Sequence, residues 1–201
     1  MALTKVSTGM VKTISAGTSN LALGVNAGNS ITSGGNYNVV VGDEAGTAIT
    51  TGDNNTAVGY NSLLANTTAS NNTAVGFEAL RDNTTGTLNT ALGRKALLNN
   101  TTGADNTAVS YSLGSNTTGS YNTAVGKSAL NSNTTASSNT AVGYGSLTNT
   151  TTGANNVAVG VNSLEANSTG ANNTAVGVQA LDTNTTASDN TAVGYASLLA
   201  N

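Results

Sequence analysis

A parallel β-roll, or β-solenoid, of about eleven coils is the fold this sequence predicts, and three observations predict it. The motif N-T-A-V-G or a close relative returns at a nearly fixed interval of 17 residues, the signature of stacked supersecondary units. One column of the repeat is always Asn, as stacked identical side chains in a ladder would be. The composition is wrong for a packed globule: Asn and Thr make up about a third of the chain, aromatics 3% and charged residues 7%, with no Pro, Cys, Trp or His. Such polarity also suits a disordered tract, but disorder requires no register, and the register here is kept to the end.

Copies open at Asn20, Asn38, Asn55, Asn72, Asn89, Asn106, Asn122, Asn139, Asn156, Asn173 and Asn190, so one spacing is 18, one is 16 and the others are 17. Counting the Asn as position 0, the consensus is N-T-A-V-G-x-x-A/S-L-x-x-N-T-T-G/A-x-x. Amides stacked coil on coil can each donate to one neighbour and accept from the other, so position 0 reads as a structural ladder; the alternative is a turn-forming Asn with no ladder. Position 4 is Gly24, Gly42, Gly59, Gly76, Gly93, Gly126, Gly143, Gly160, Gly177 and Gly194, with Ser110 as the exception. It reads as a corner that needs positive φ or close backbone approach.

Within N-T-A-V-G, position 3 is always Val or Leu, and position 1 is Thr, replaced by Leu21, Val39 and Val157. At strand period the two share a face, which this pattern predicts to point inward. Position 2 then points outward as a stripe, Ala22 followed by Ala57, Ala74, Ala91, Ala108, Ala124, Ala141, Ala158, Ala175 and Ala192. The stripe is either a subunit contact, where small residues let another chain approach, or a merely exposed row. A coil with so few large inward residues is thin, and a further buried face favours the first reading.

After the Gly, period 2 fails, and Leu falls at position 8 beside a small residue, as in Glu78-Ala-Leu-Arg81 and Lys95-Ala-Leu-Leu98. These are helix formers, so the segment reads as a helical or 3₁₀ turn carrying an inward Leu, with a second strand as the alternative. The chain returns through N-T-T-G/A. One β-ladder step per unit, about 4.8 Å, makes a rod about 50 Å long.

The organisation is a segment 1–19 for attachment or capping, two atypical starting repeats over 20–54, and nine regular repeats over 55–201, the last cut off. The starting repeats carry Gly28 and Gly46 where later ones have Leu, and Ile31 and Ile49 three places on. The 16-residue unit from Asn106 to Tyr121 lacks one residue between Ser110 and Leu113. It predicts a local change of corner shape with the Asn rank continuous through Asn106 and Asn122.

Several chemistries find no support. The net charge of −3 and six scattered Lys and Arg give no basic stripe for nucleic acid or anionic membranes. Without His or Cys the usual general bases and soft metal ligands are missing. Asp43, Glu44 and Asp53 form the one local acidic cluster and read as solvated surface. No catalytic, cofactor or metal site is expected. Asn66-Thr-Thr68 matches a glycosylation acceptor but reads as turn chemistry. Position 5, holding Tyr60, Phe77, Tyr111, Tyr144 and Tyr195 but also Arg94, Lys127 and Val161, reads as a surface column of scattered aromatics.

Units such as Asn72-Thr-Ala-Val-Gly-Phe-Glu-Ala-Leu-Arg-Asp-Asn-Thr-Thr-Gly86 resemble repeats of phage tail-fibre and other fibre proteins. More distantly they are similar to head repeats of trimeric autotransporter adhesins, whose S-V-A-I-G motif builds a left-handed parallel β-roll in a homotrimer. The opening Met1-Ala-Leu-Thr-Lys-Val resembles the start of marine-phage virion proteins. The resemblance covers residues 20–201 and implies a homotrimeric fibre shaft, joined to other virion or fibre proteins at its N-terminal end. A cell-surface receptor would be met through a missing C-terminal region. With no apolar signal stretch, the expected location is a virion assembled in host cytoplasm, or alternatively an extracellular surface fibre. The rival reading is a monomeric solenoid binding module, an adhesin or an ice-binding rod. Ice binding wants outward Thr, whereas position 1 is expected to face inward.

Overall fold

The computed structural model describes residues 11–12 and 18–199, and over them the chain is a parallel β-solenoid. Its strands are β1 (Val11–Lys12), β2 (Leu21–Leu23), β3 (Val39–Val41), β4 (Thr56–Val58), β5 (Thr73–Val75), β6 (Thr90–Leu92), β7 (Thr107–Val109), β8 (Thr123–Val125), β9 (Thr140–Val142), β10 (Val157–Val159), β11 (Thr174–Val176) and β12 (Thr191–Val193). They form one sheet in sequence order. From β2 onward each strand pairs parallel with the next, one ladder step per repeat, as in Thr56↔Thr73 and Thr73↔Thr90. The first strand is different: β1 pairs antiparallel with β2 and so covers the edge that the first coil would otherwise leave open. The remainder of the expected 1–19 segment lies largely outside the described residues, as does Asn201.

Which strand face is inside reverses the expectation. Position 2 faces the lumen: Ala57, Ala74, Ala91, Ala108, Ala124, Ala141, Ala158 and Ala175 are 0% exposed and Ala192 3%. These alanines are therefore not a subunit contact. Positions 1 and 3 point to solvent, with Leu21 at 44%, Leu92 at 48% and Val157 and Val159 at 37%. The reason is lumen width. Leu at position 8 enters from the opposite wall, and Leu63, Leu80, Leu97, Leu113, Leu130, Leu147, Leu164 and Leu181 are all fully buried. A wall already filled by Leu has room only for a methyl group across from it.

The segment carrying that Leu is neither helical nor a strand, and no helix occurs among the described residues. Left-handed residues alternate along it instead: Glu78 has φ 55° and Leu80 52°, Lys95 58° and Leu97 52°. Alternation points successive peptide groups up and down the rod. Glu78 N–H donates to the Tyr60 carbonyl of the preceding coil at 2.9 Å, and Leu80 N–H to the Ala96 carbonyl of the following coil at 2.9 Å. A helical turn would have spent those groups within the segment. In this arrangement few bonds close locally, such as Asn83 N–H to the Leu80 carbonyl. The left-handed Leu costs roughly 1–2 kcal/mol per residue, which lumen filling and the intercoil bonds offset.

The starting repeats show what the Leu column does. A Cβ on Gly46 would lie 2.7 Å from Cγ1 of Val40 and 2.8 Å from Cδ1 of Ile49. Ile49, fully buried from position 11, therefore fills the space that position 8 fills elsewhere, which is the three-place shift read in the sequence.

Candidate functional site

Two internal asparagine ladders run up the rod. At position 0 each backbone N–H donates to Oδ1 of the Asn one coil before, at 2.8–3.0 Å, without a break from Asn20 to Asn190. From Asn20 to Asn173 each Nδ2 also spans its own coil, as Asn89 does to the Gly103 carbonyl at 2.8 Å, tying the strand to the returning segment. The rank continues through the short coil, from Asn106 to Asn122 at 3.0 Å. The second ladder, at position 11, escaped the sequence reading because N-T-T looked like turn chemistry. Asn66, Asn83, Asn100, Asn116 and Asn133 are linked Nδ2 to Oδ1 at 2.7–3.0 Å and also donate to the position-14 carbonyl. Its signal was present in the repeated Asn itself, and Ile31 and Ile49 at the same column mark it as a lumen position. Asn66 is fully buried, so the acceptor triplet that begins there presents no accessible amide.

At the corner, the glycines of position 4 have φ between 124° and 138°. A Cβ on Gly59 would come within 2.5 Å of the Gly76 carbonyl oxygen above it. Ser110 escapes that clash because the short coil relaxes its φ to 75°, the predicted change of corner shape. Position 7 alternates Ala and Ser without penalty, since a buried Ser such as Ser62 donates its hydroxyl to the Gly59 carbonyl at 2.9 Å.

The carboxylates are spread over separate tasks. Asp43 Oδ1 accepts from Val25 N–H at 3.1 Å, Glu44 Oε1 from Asn26 Nδ2 at 2.8 Å, and Asp53 Oδ1 from Asn36 N–H at 2.7 Å. Each thereby bonds to the neighbouring coil. Glu78 lies 3.6 Å from Arg81 and 3.4 Å from Lys95, and Arg81 makes a two-pronged contact with Asp82 at 2.7 Å that raises its pKa. Burial pushes the Asp182 carboxyl above its ordinary range. No group of three or more Asp and Glu is gathered as a metal-holding cluster among the described residues.

What faces solvent is a set of straight ranks. The strand face shows Thr56, Thr73, Thr90, Thr107, Thr123 and Thr140 on successive coils, beside a rank of Val and Leu at position 3. At the next corner, position 5 forms a third rank, in which the rings of Tyr60 and Phe77 stack with centroids 5.6 Å apart. The Arg94 guanidinium lies 5.8 Å from the Phe77 centroid, continuing the stack where the aromatic run is interrupted. No helix is long and apolar enough to cross a membrane among the described residues. No protein-family model, curated protein or solved structure matches the chain.

Proposed function

We propose that this chain is the non-enzymatic shaft of a homotrimeric fibre of the phage tail-fibre type, holding a recognition tip away from a virion. The observation that carries the reading is the apolar rank on the strand face. Val and Leu at position 3 stay partly exposed on coil after coil, with Leu92 at 48% and Val142, Val159 and Val176 at 36–37%. An unbroken apolar stripe along a thin rod is a surface that association would bury. In this reading the contact is made by positions 1 and 3, the N-terminal end joins other virion or fibre proteins, and neither nucleic acid nor membrane is a partner.

Solution mass together with two substitutions tests it. Val109→Lys and Val142→Lys, which place like charges from three chains together, are expected to give folded monomers from a trimeric parent. Ala108→Lys, aimed into the lumen, is expected to unfold the rod instead. A parent chain that stays monomeric at micromolar concentration overturns the trimer.

One observation favours a second reading, a monomeric ice-binding rod: the Thr rank at position 1 faces outward in regular register rather than inward as the sequence suggested. Thermal hysteresis by the monomer, lost in Thr107→Lys, would establish that reading in place of the shaft.

A further inference from the structure

The single 16-residue coil leaves a notch in the side of the rod. The residue it lacks is position 6, filled by Lys95 in the coil before and Ser128 in the coil after. Where that residue would lie there is a depression of about 390 Å³ lined by Gly93, Arg94, Ser110, Tyr111 and Lys127. Arg94, Tyr111 and Lys127 are the position-5 residues of three successive coils, so an exposed ring sits between two cations whose coils are about 9.5 Å apart.

The distribution of positive charge makes this place unlike the remainder of the surface. Between residues 18 and 199 the chain has four Lys and Arg: Arg81, Arg94, Lys95 and Lys127. Arg81 and Lys95 are ion-paired with Glu78 and Asp82. The other two line the notch, and neither has a carboxylate within ion-pair distance among the described residues. Arg94 is further held by Phe77, which leaves the guanidinium edge free to donate. Between residues 18 and 199 the two cations without an ion-pair partner thus stand on either side of one aromatic face, in a chain of net charge −3.

We infer that this notch binds an acidic sugar, a hexuronate residue of an anionic polysaccharide. The C–H face of a pyranose packs on an aromatic ring, as Tyr111 offers. A carboxylate takes charge-assisted hydrogen bonds from Arg94 and Lys127, and the ring hydroxyls meet Ser110 and its exposed backbone. Tyr144 beyond Lys127, and Tyr60 and Phe77 beyond Arg94, continue the rank for flanking sugars. The site is complete on one chain and does not depend on the shaft reading.

Calorimetric titration of the whole chain with galacturonate oligosaccharides tests it, beside their neutral methyl esters and a non-sugar polycarboxylate of equal charge. The acidic oligosaccharide is expected to bind about tenfold more tightly than either control. Tyr111→Ala, and Arg94→Gln with Lys127→Gln, should each weaken it by about tenfold or more, with circular dichroism unchanged because all three side chains are exposed. A Gly inserted between Tyr111 and Ser112 restores the 17-residue length and should abolish binding by filling the notch. No binding overturns the inference, as does equal binding of the polycarboxylate or of the methyl esters. So does acidic-sugar binding that survives Tyr111→Ala.

Discussion

Across the one coil that is a residue short, the backbone N–H of Asn122 donates to Oδ1 of Asn106 at 3.0 Å, the same length as in full coils on either side. The shortening is absorbed at the corner, on the opposite side of the strand from the ladder. Replacing Asn106 by Ala leaves the Asn122 N–H buried without an acceptor, at a cost of about 1–3 kcal/mol for each orphaned group. The expected result is a lower unfolding midpoint, with hydrogen exchange at Asn122 accelerated more than at Asn173.

The position-11 ladder is broken once, where Thr150 stands between Asn133 and Asn167. Oδ1 of Asn133 is buried and accepts no hydrogen bond, while the Thr150 hydroxyl donates to the Asn167 carbonyl at 3.1 Å. Thr150→Asn is expected to close the gap and stabilise the rod by about 1 kcal/mol. Denaturant unfolding of the two proteins side by side measures it.

Leu97 combines full burial with a φ of 52°. Branching at Cβ is poorly tolerated in that backbone region, so Leu97→Val should cost more than its lost methylene. About 1–2 kcal/mol of backbone strain adds to the packing loss. Leu97→Met keeps an unbranched Cβ and is expected to cost less than about 1.5 kcal/mol. Equal midpoints for the two variants would contradict the left-handed assignment.

Burial raises the pKa of Asp182, so the folded state binds its proton more tightly than the unfolded state does. Stability from this group is fully present below the unfolded carboxylate range and is lost as pH rises through the folded pKa. Asp182→Asn should therefore raise the melting temperature at pH 7 and change little at pH 3. Melting curves at the two pH values read the difference directly.

Period, Asn rank and corner Gly were legible because each depends on a backbone requirement that recurs once per coil. The inward face was not. T-A-V at strand period defines two faces, and placing the larger residues of positions 1 and 3 inside overfills a lumen that Leu97 and its equivalents, also read as inward, already fill from the other wall. Counting one large residue per coil against the width of a closed loop would have placed Ala91 inside. The Leu segment was misread for a related reason. Helix propensity favours Glu78-Ala-Leu-Arg81, but intercoil bonding rewards alternating handedness, and tertiary context overrides propensity. Position 5 looked scattered because sequence shows residue types and not the stacking of Arg94 on Phe77.

Every strand touches only the strands before and after it. A unit removed or added whole leaves each surviving bond with a partner of the same kind, since Asn89 would meet Asn122 as it meets Asn106. Unequal exchange between copies of the coding segment can therefore lengthen or shorten the rod in full steps without any compensating substitution. Its reach can be reset by heredity as freely as a chain is reset by links, whereas a partial step is admitted only at a place like position 6, outside both ladders.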